Sequence, residues 1–260
     1  MTSYQLVGLG TYKIKDEQCV QIVKTGLELG FRLIDTAQLY RNHDFVSQGI
    51  KLSGIPRTDI FITSKIHNSN IRKLKIAESI GEIKKELDTD YIDLILLHNP
   101  VKNYDKAWEE LIRCKEQMDI KYIGVSNFYE EELDVIISTT GINPWLNQIE
   151  LSIFNQQKDL IEYNNSKGII TQAHTTLTQG NLLSEPAIKS WSEQLKISVP
   201  ELMFKYVLDQ NIGILQRTSN LANLKTNYEM LFNPKKIFNE KFNIDNFNEM
   251  NTFDKKIRFY

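Results

Sequence analysis

The chain predicts an α/β protein built as one (β/α)8 barrel, the TIM-barrel arrangement, and three observations lead there. Short β-branched or leucine-rich runs alternate with longer stretches of helical periodicity, the sign of parallel strands joined by helical crossovers. Eight such runs fall between residues 6 and 215, enough to close a barrel. No Gly-x-Gly-x-x-Gly turn follows any of them, and Gly8-Leu-Gly10 is only a fragment of one, so an open doubly wound sheet is the weaker alternative.

Taken in order, the first strand is expected at 6–9, followed by a helix over 17–29 that begins acidic and stops at Gly30. Strands at 31–34 and 60–63 come next, then a helix over 71–87. The run at 92–97 is apolar except for Asp93, as a strand covered on both faces requires. A helix over 104–116, strands at 122–125 and 145–148, and a helix over 158–166 follow. Lys167-Gly168-Ile169 reads as a helix stop feeding the seventh strand at 169–172, and the eighth is expected at 212–215. Beyond Lys225 the pattern gives way to Asn-, Lys- and Phe-rich sequence. Residues 1–260 are therefore read as one domain with an irregular tail from about 228, holding one or two helices.

With 260 residues, 41% hydrophobic, 25% charged and a formal charge of −2, the chain has room for a large core and no global bias toward nucleic acid or anionic membrane. Cys19 and Cys114 are far apart, which suggests neither a disulfide framework nor a zinc site. His43, His67, His98 and His174 share no ligand-like spacing, so no metal is expected. The stretch from Met1 lacks a basic segment before an apolar core, and no apolar run is long enough to span a bilayer. A cytoplasmic protein, monomeric and acting on a small molecule, is the expectation.

Barrels carry reactive groups at the carboxyl ends of their strands. Asp35, Tyr40, Lys65 and His98 stand just past the ends of the second, third and fourth runs. A phenol titrates near ~10, so Tyr40 needs help to release its proton at neutral pH. The Lys65 ammonium would stabilise the phenolate, Asp35 would keep the lysine charged, and His98 would donate a hydrogen bond to a substrate oxygen. Singly, each has a plainer job: helix cap, packing residue, surface charge, structural histidine. Together they suit proton transfer to a carbonyl.

The segments Gly8-Leu-Gly-Thr-Tyr12, Phe31-Arg-Leu-Ile-Asp-Thr-Ala-Gln-Leu-Tyr-Arg-Asn42, Thr63-Ser-Lys65, Tyr91-Ile-Asp-Leu-Ile-Leu-Leu-His98, Ile123-Gly-Val-Ser-Asn-Phe128 and Asn147-Gln-Ile-Glu150 resemble the aldo-keto reductases, from about Leu6 to Asn227. The resemblance implies a (β/α)8 barrel, carbonyl reduction and an extended NADPH. It also implies a catalytic tetrad of Asp35, Tyr40, Lys65 and His98, with Tyr40 as proton donor. The family's amino-terminal hairpin is expected to be absent, since few residues precede Leu6.

By the same likeness Gly10, Thr11 and Asp35 border the cofactor, and Ser126, Asn127 and Gln148 take the positions that hydrogen-bond its carboxamide. The family's stacking Tyr, in Ala-Tyr-Ser-Pro-Leu, is here His174, in Ala173-His-Thr-Thr-Leu177, with Thr175 and Leu177 beside it. The family's Lys-Ser-x-Asn-x-x-Arg phosphate segment reads Arg217-Thr-Ser-Asn-Leu-Ala-Asn223, so Arg217 and Thr218 persist while the second cation is missing. Asn227 completes the set. NADPH is the expected cofactor, with NADH also usable.

On the substrate side the likeness places Tyr12, His67, His98 and Asn99. His67 and Asn99 replace tryptophans common in the family, which implies a more polar pocket; the plainer reading is that both are solvated loop residues. A non-catalytic, cofactor-sensing regulatory or interaction protein on this scaffold is the alternative function. Phosphate-isomerase chemistry ranks lower, because it would want a carboxylate base rather than a Tyr-Lys pair.

Overall fold

Residues two apart on a strand face the same side, and on this protein's inner side leucine gives way to polar groups toward the carboxyl ends. The computed structural model describes residues 6–232. Its strands are β1 (Gly8–Gly10), β2 (Leu33–Asp35), β3 (Phe61–Ile66), β4 (Ile92–Leu97), β5 (Ile120–Ser126), β6 (Leu146–Glu150), β7 (Ile170–His174) and β8 (Gly213–Gln216). They close in sequence order into a parallel barrel, β8 pairing with β1. The helices are α1 (Asp16–Leu29), α2 (His43–Ser53), α3 (Asn68–Lys73), α4 (Ile76–Leu87), α5 (Tyr104–Gln117), α6 (Glu130–Thr140), α7 (Lys158–Ser166), α8 (Pro186–Leu195), α9 (Val199–Leu208) and α10 (Leu221–Phe232). Among the described residues no helix is long and apolar enough to cross a membrane.

Two apolar layers hold this arrangement. Isoleucines and leucines of the outward strand faces pack with Trp108, Phe128 and Phe204 between sheet and helices. Inside the barrel Leu6, Leu33, Leu94, Leu96, Leu146 and Leu215 form a second cluster, closed from below by Phe61, Tyr122 and Trp145. The last two rings stack 4.2 Å apart. Gly124 lets β5 close on β6, since a Cβ there would run into the Leu146 carbonyl oxygen and the Leu96 side chain. Register then sets the polar layer above: Gly10 pairs with Asp35, Asp35 with Thr63, Ser126 with Gln148, and Gln148 with Gln172.

The helix expected over 71–87 is interrupted. Leu74 takes a left-handed conformation (φ 54), and Lys75 N–H returns to the Asn70 carbonyl, which ends α3 and starts α4 at a new angle. Both Ile71 and Ile76 are thereby buried. The second strand begins at Leu33 rather than 31 because Phe31 serves the outer layer, where it meets Tyr228 edge-on at 5.3 Å. The tail expected from about 228 is still helical through Phe232, and 233–260 lie outside the described residues. The hairpin question falls on 1–5, also outside them.

Candidate active site

Lys65 reaches up the barrel interior from β3 and is 1% exposed. Its ammonium donates to Asp35 Oδ1 at 2.5 Å, to the Thr36 carbonyl at 3.2 Å and to Tyr40 Oη at 3.2 Å, which uses all three N–H groups. Tyr40 closes the 3-10 turn Gln38–Tyr40 that follows β2. Asn42 pins this turn: it accepts from the Thr36 hydroxyl at 3.0 Å and donates to the Thr11 and Ile14 carbonyls at 2.9 and 2.8 Å. Sequence reasoning did not single out Asn42, although it sits inside the motif that carries Tyr40. Because Tyr40 Oη accepts from Lys65, the phenolic hydrogen is left to point into the mouth.

The electrostatics differ from the expected phenolate stabilisation. Burial, then the Asp35 carboxylate and Tyr12, push the Tyr40 phenol well above its ordinary value. Lys65 does not offset this, because its charge is neutralised by Asp35 at contact distance. Burial lowers the Lys65 pKa, against the raising effect of Asp35. His98, edge-on to Tyr40 with centroids 6.0 Å apart, is held well below its ordinary value by burial, then by Lys65, His174 and His67. It is therefore neutral at working pH, and among the described residues neither ring nitrogen has a protein hydrogen bond.

The neutral polar residues form a connected rim. Gln148 donates to Asp35 Oδ2 at 2.9 Å and to Gln172 Oε1 at 3.0 Å, joining it to the Asp35–Lys65 pair. Ser126 donates to the Gln148 carbonyl at 3.0 Å. Asn127, left-handed at φ 61, directs its amide nitrogen to the His98 carbonyl (3.3 Å), Asn99 Oδ1 (3.1 Å) and Ser126 Oγ (3.0 Å). His174 Nε2 meets Asn127 Oδ1 at 2.9 Å and its Nδ1 meets the Thr175 hydroxyl at 2.8 Å. Burial and the Lys65 charge pull His174 down to about 3. Asn99 and His67 are thus not idle loop residues: Asn99 also donates to Asn68 Oδ1 at 3.2 Å, and His67 caps α3 by accepting from Ser69 N–H at 3.1 Å.

Toward β8 the residues separate from this group. Arg217 is exposed and donates to the Tyr12 and Lys13 carbonyls, both at 2.7 Å, clasping the β1 loop. Thr218 accepts from Asn220 N–H at 3.1 Å beside the amino terminus of α10. Asn227 is buried and donates to Gln216 Oε1 at 2.9 Å, tying α10 to β8. Thr11 donates to the Asp35 carbonyl at 3.0 Å, and Leu177 packs at the edge of the outer core. Two buried atoms on this side have no partner, Thr176 Oγ1 and Gln216 Nε2. A cavity of about 430 Å³ opens beside the Tyr40 turn, lined by Gln38, Arg41, His67, Glu82 and Glu86 among others; neither Tyr40 nor His98 lines it. Among the described residues no group of side chains could hold a metal ion.

Comparison with known proteins identifies the family and agrees with the barrel fold. The model of the Aldo/keto reductase family matches residues 6–243. A methylglyoxal reductase, DkgB, of Yersinia pestis is 34% identical over 230 residues, 86% of each chain. The crystal structure of an aldo/keto reductase from Brucella melitensis superposes with a TM-score of 0.86 at 32% identity, covering 96% of this chain and 93% of that one. A Bombyx mori aldo-keto reductase in complex with NADP superposes with a TM-score of 0.85 at 25% identity, covering 97% and 90%. The chain belongs to the aldo-keto reductase family, oxidoreductases of carbonyl compounds that use nicotinamide cofactors.

Proposed function

We propose that this protein is an NADPH-dependent carbonyl reductase, a cytoplasmic monomer that converts a small aldehyde or ketone to an alcohol with Tyr40 as proton donor. The observation that carries this reading is the Lys65 ammonium, saturated by Asp35, Thr36 and Tyr40, beside a His98 ring whose nitrogens have no protein hydrogen bond among the described residues. When bound, the nicotinamide supplies hydride to the carbonyl carbon. Neutral His98 donates one N–H to the carbonyl oxygen and sets its direction. Tyr40 holds its proton firmly and gives it up only to the alkoxide that develops on that oxygen, a far stronger base than phenolate. Lys65 stays on the phenol oxygen throughout, held by Asp35.

The residues fit a nicotinamide dinucleotide. Ser126, Asn127 and Gln148 present hydroxyl and amide groups suited to a carboxamide. The orphaned Thr176 Oγ1 and Gln216 Nε2 are buried polar atoms for which a polar ligand along β7 and β8 would be a partner. Arg217, Thr218 and the amino terminus of α10 suit a phosphate, with Nη1 of Arg217 uncommitted to the β1 loop. Asn223 supplies no second cation, so NADH should serve as well. The polar surroundings of His67 and Asn99 favour a small, polar carbonyl, and the Yersinia relative's name points to methylglyoxal as the first probe.

Purified protein with NADPH and a panel of small aldehydes led by methylglyoxal should lose absorbance at the reduced-nicotinamide band. Tight NADPH binding without turnover on any carbonyl would refute the reductase and favour the cofactor-sensing alternative.

A further inference from the structure

Five side chains at the barrel mouth hydrogen-bond in one direction. Thr175 Oγ1 donates to His174 Nδ1 (2.8 Å), His174 Nε2 to Asn127 Oδ1 (2.9 Å), Asn127 Nδ2 to Asn99 Oδ1 (3.1 Å), and Asn99 Nδ2 to Asn68 Oδ1 (3.2 Å). The direction is fixed by a backbone group: Asn127 Nδ2 also faces the His98 carbonyl, which can only accept. The other end of that amide is therefore oxygen, and the His174 nitrogen opposite it must carry the ring proton. Its second nitrogen is then an acceptor, which the Thr175 hydroxyl meets. Bonds aligned this way polarise one another, so the chain holds the Asn127 amide more firmly than separate contacts would.

The two residues flanking Asn127 in this chain, Asn99 and His174, are two of the three positions, with His67, where the sequence departs from the family's aromatic pattern. Tryptophan at 99 would offer no oxygen to Asn127 Nδ2, and apolar replacement at 174 would leave Asn127 Oδ1 without its donor. The departures belong together because both are read out by one amide.

We propose that Asn99 and His174 are positioning residues that act on the nicotinamide cofactor through Asn127, with His174 held as the neutral Nε2–H tautomer. The inference rests on the proposed cofactor site. Three arms test it. Nitrogen-15 NMR of the histidine rings in cofactor-free protein should show His174 as the Nε2–H tautomer; the Nδ1–H form would overturn the ladder directly. Titration with NADPH, read by nicotinamide fluorescence, should give about tenfold weaker binding for Asn99→Leu and for His174→Phe, the loss of one directed hydrogen bond. The double variant should also be about tenfold weaker rather than about a hundredfold, since both changes release the same amide. His174→Gln, which can return an N–H to Asn127, should recover most of the loss, and kcat at saturating NADPH should change far less than KM for the cofactor. Additive losses, or singles that bind like wild type, would refute the inference. Failure of wild-type protein to bind NADPH is the separate failure of the functional reading, and it takes the binding arm with it while the NMR arm still decides the ladder. Should His174→Phe fail to fold, Asn99→Leu with the wild-type tautomer carries the decision.

Discussion

Replacing Asp35 with asparagine keeps the shape of the site and removes one charge. In the native protein Asp35 Oδ1 and Lys65 Nζ are 2.5 Å apart, with side chains 3% and 1% exposed. At an effective dielectric of ~20 that separation corresponds to a gross attraction of roughly 7 kcal/mol, most of it offset by desolvation. Asparagine also cannot present oxygen on both sides: Lys65 and Gln148 Nε2 each donate to a different Asp35 oxygen, so one of them would face an N–H instead. Leaving a buried ammonium without its counter-charge costs about 3–5 kcal/mol. For a chain of this size that is a fall of about 6–20 °C in Tm. Urea unfolding at neutral pH measures it. The sign with pH follows from Lys65, whose folded pKa lies below its ordinary value of 10.5 through burial. A cation so lowered destabilises the folded state while both states are charged, and stability returns as pH rises from the folded value toward the ordinary one. Asp35→Asn removes the two influences that raise Lys65, so the variant should regain more stability than wild type as pH rises toward the ordinary lysine value of 10.5. A variant within about 1 kcal/mol of wild type at neutral pH, with the same pH profile, would refute this reasoning.

Other expectations rest on separate parts of the molecule. Arg217→Met should weaken NADPH about tenfold to a hundredfold and NADH little if the guanidinium meets the 2′-phosphate; equal weakening of both in paired titrations would limit its role to clasping the β1 loop. Gly124→Ala should destabilise by about 1–3 kcal/mol in chemical denaturation, because the added methyl meets the backbone of β6; unchanged stability would mean the strands part freely. Buried His43 bonds Glu86 at 2.7 Å and Ser64 at 3.0 Å, and the His43 bond holds Glu86 below its ordinary 4.5. That contribution is present above the ordinary value and is lost as pH falls through the lowered one, so Glu86→Gln should abolish this part of the acid-induced loss in an unfolding series; an unchanged acid profile would count against it.

Much of the fold was legible because parallel strands buried on both faces leave short continuous apolar runs, and β4 matches the expected 92–97. The strand-end placement of Asp35, Lys65 and His98 followed from the same runs. Less legible was anything set by a neighbour distant in sequence. Leu74 breaks a helical pattern by adopting a backbone that leucine rarely takes, which only the joint burial of Ile71 and Ile76 explains. His174 reads from sequence as the residue in place of the family's stacking Tyr, and its bond to a residue 47 positions earlier gives it another job. The Tyr40 phenol shows the same limit: the placement of Asp35, Tyr40, Lys65 and His98 past the ends of apolar runs could be read from the sequence, whereas the neutralisation of Lys65 by Asp35 required the distance between them.

The most direct test of the account is the single-turnover rate of NADPH consumption with methylglyoxal by Tyr40→Phe. The variant keeps the ring, the Lys65–Asp35 pair and the polar rim of Ser126, Asn127 and Gln148, and removes one hydroxyl. NADPH should bind as in wild type and the hydride step should slow by about 10²–10⁴. A wild-type rate would contradict it, because the carbonyl oxygen would then be taking its proton from somewhere other than Tyr40.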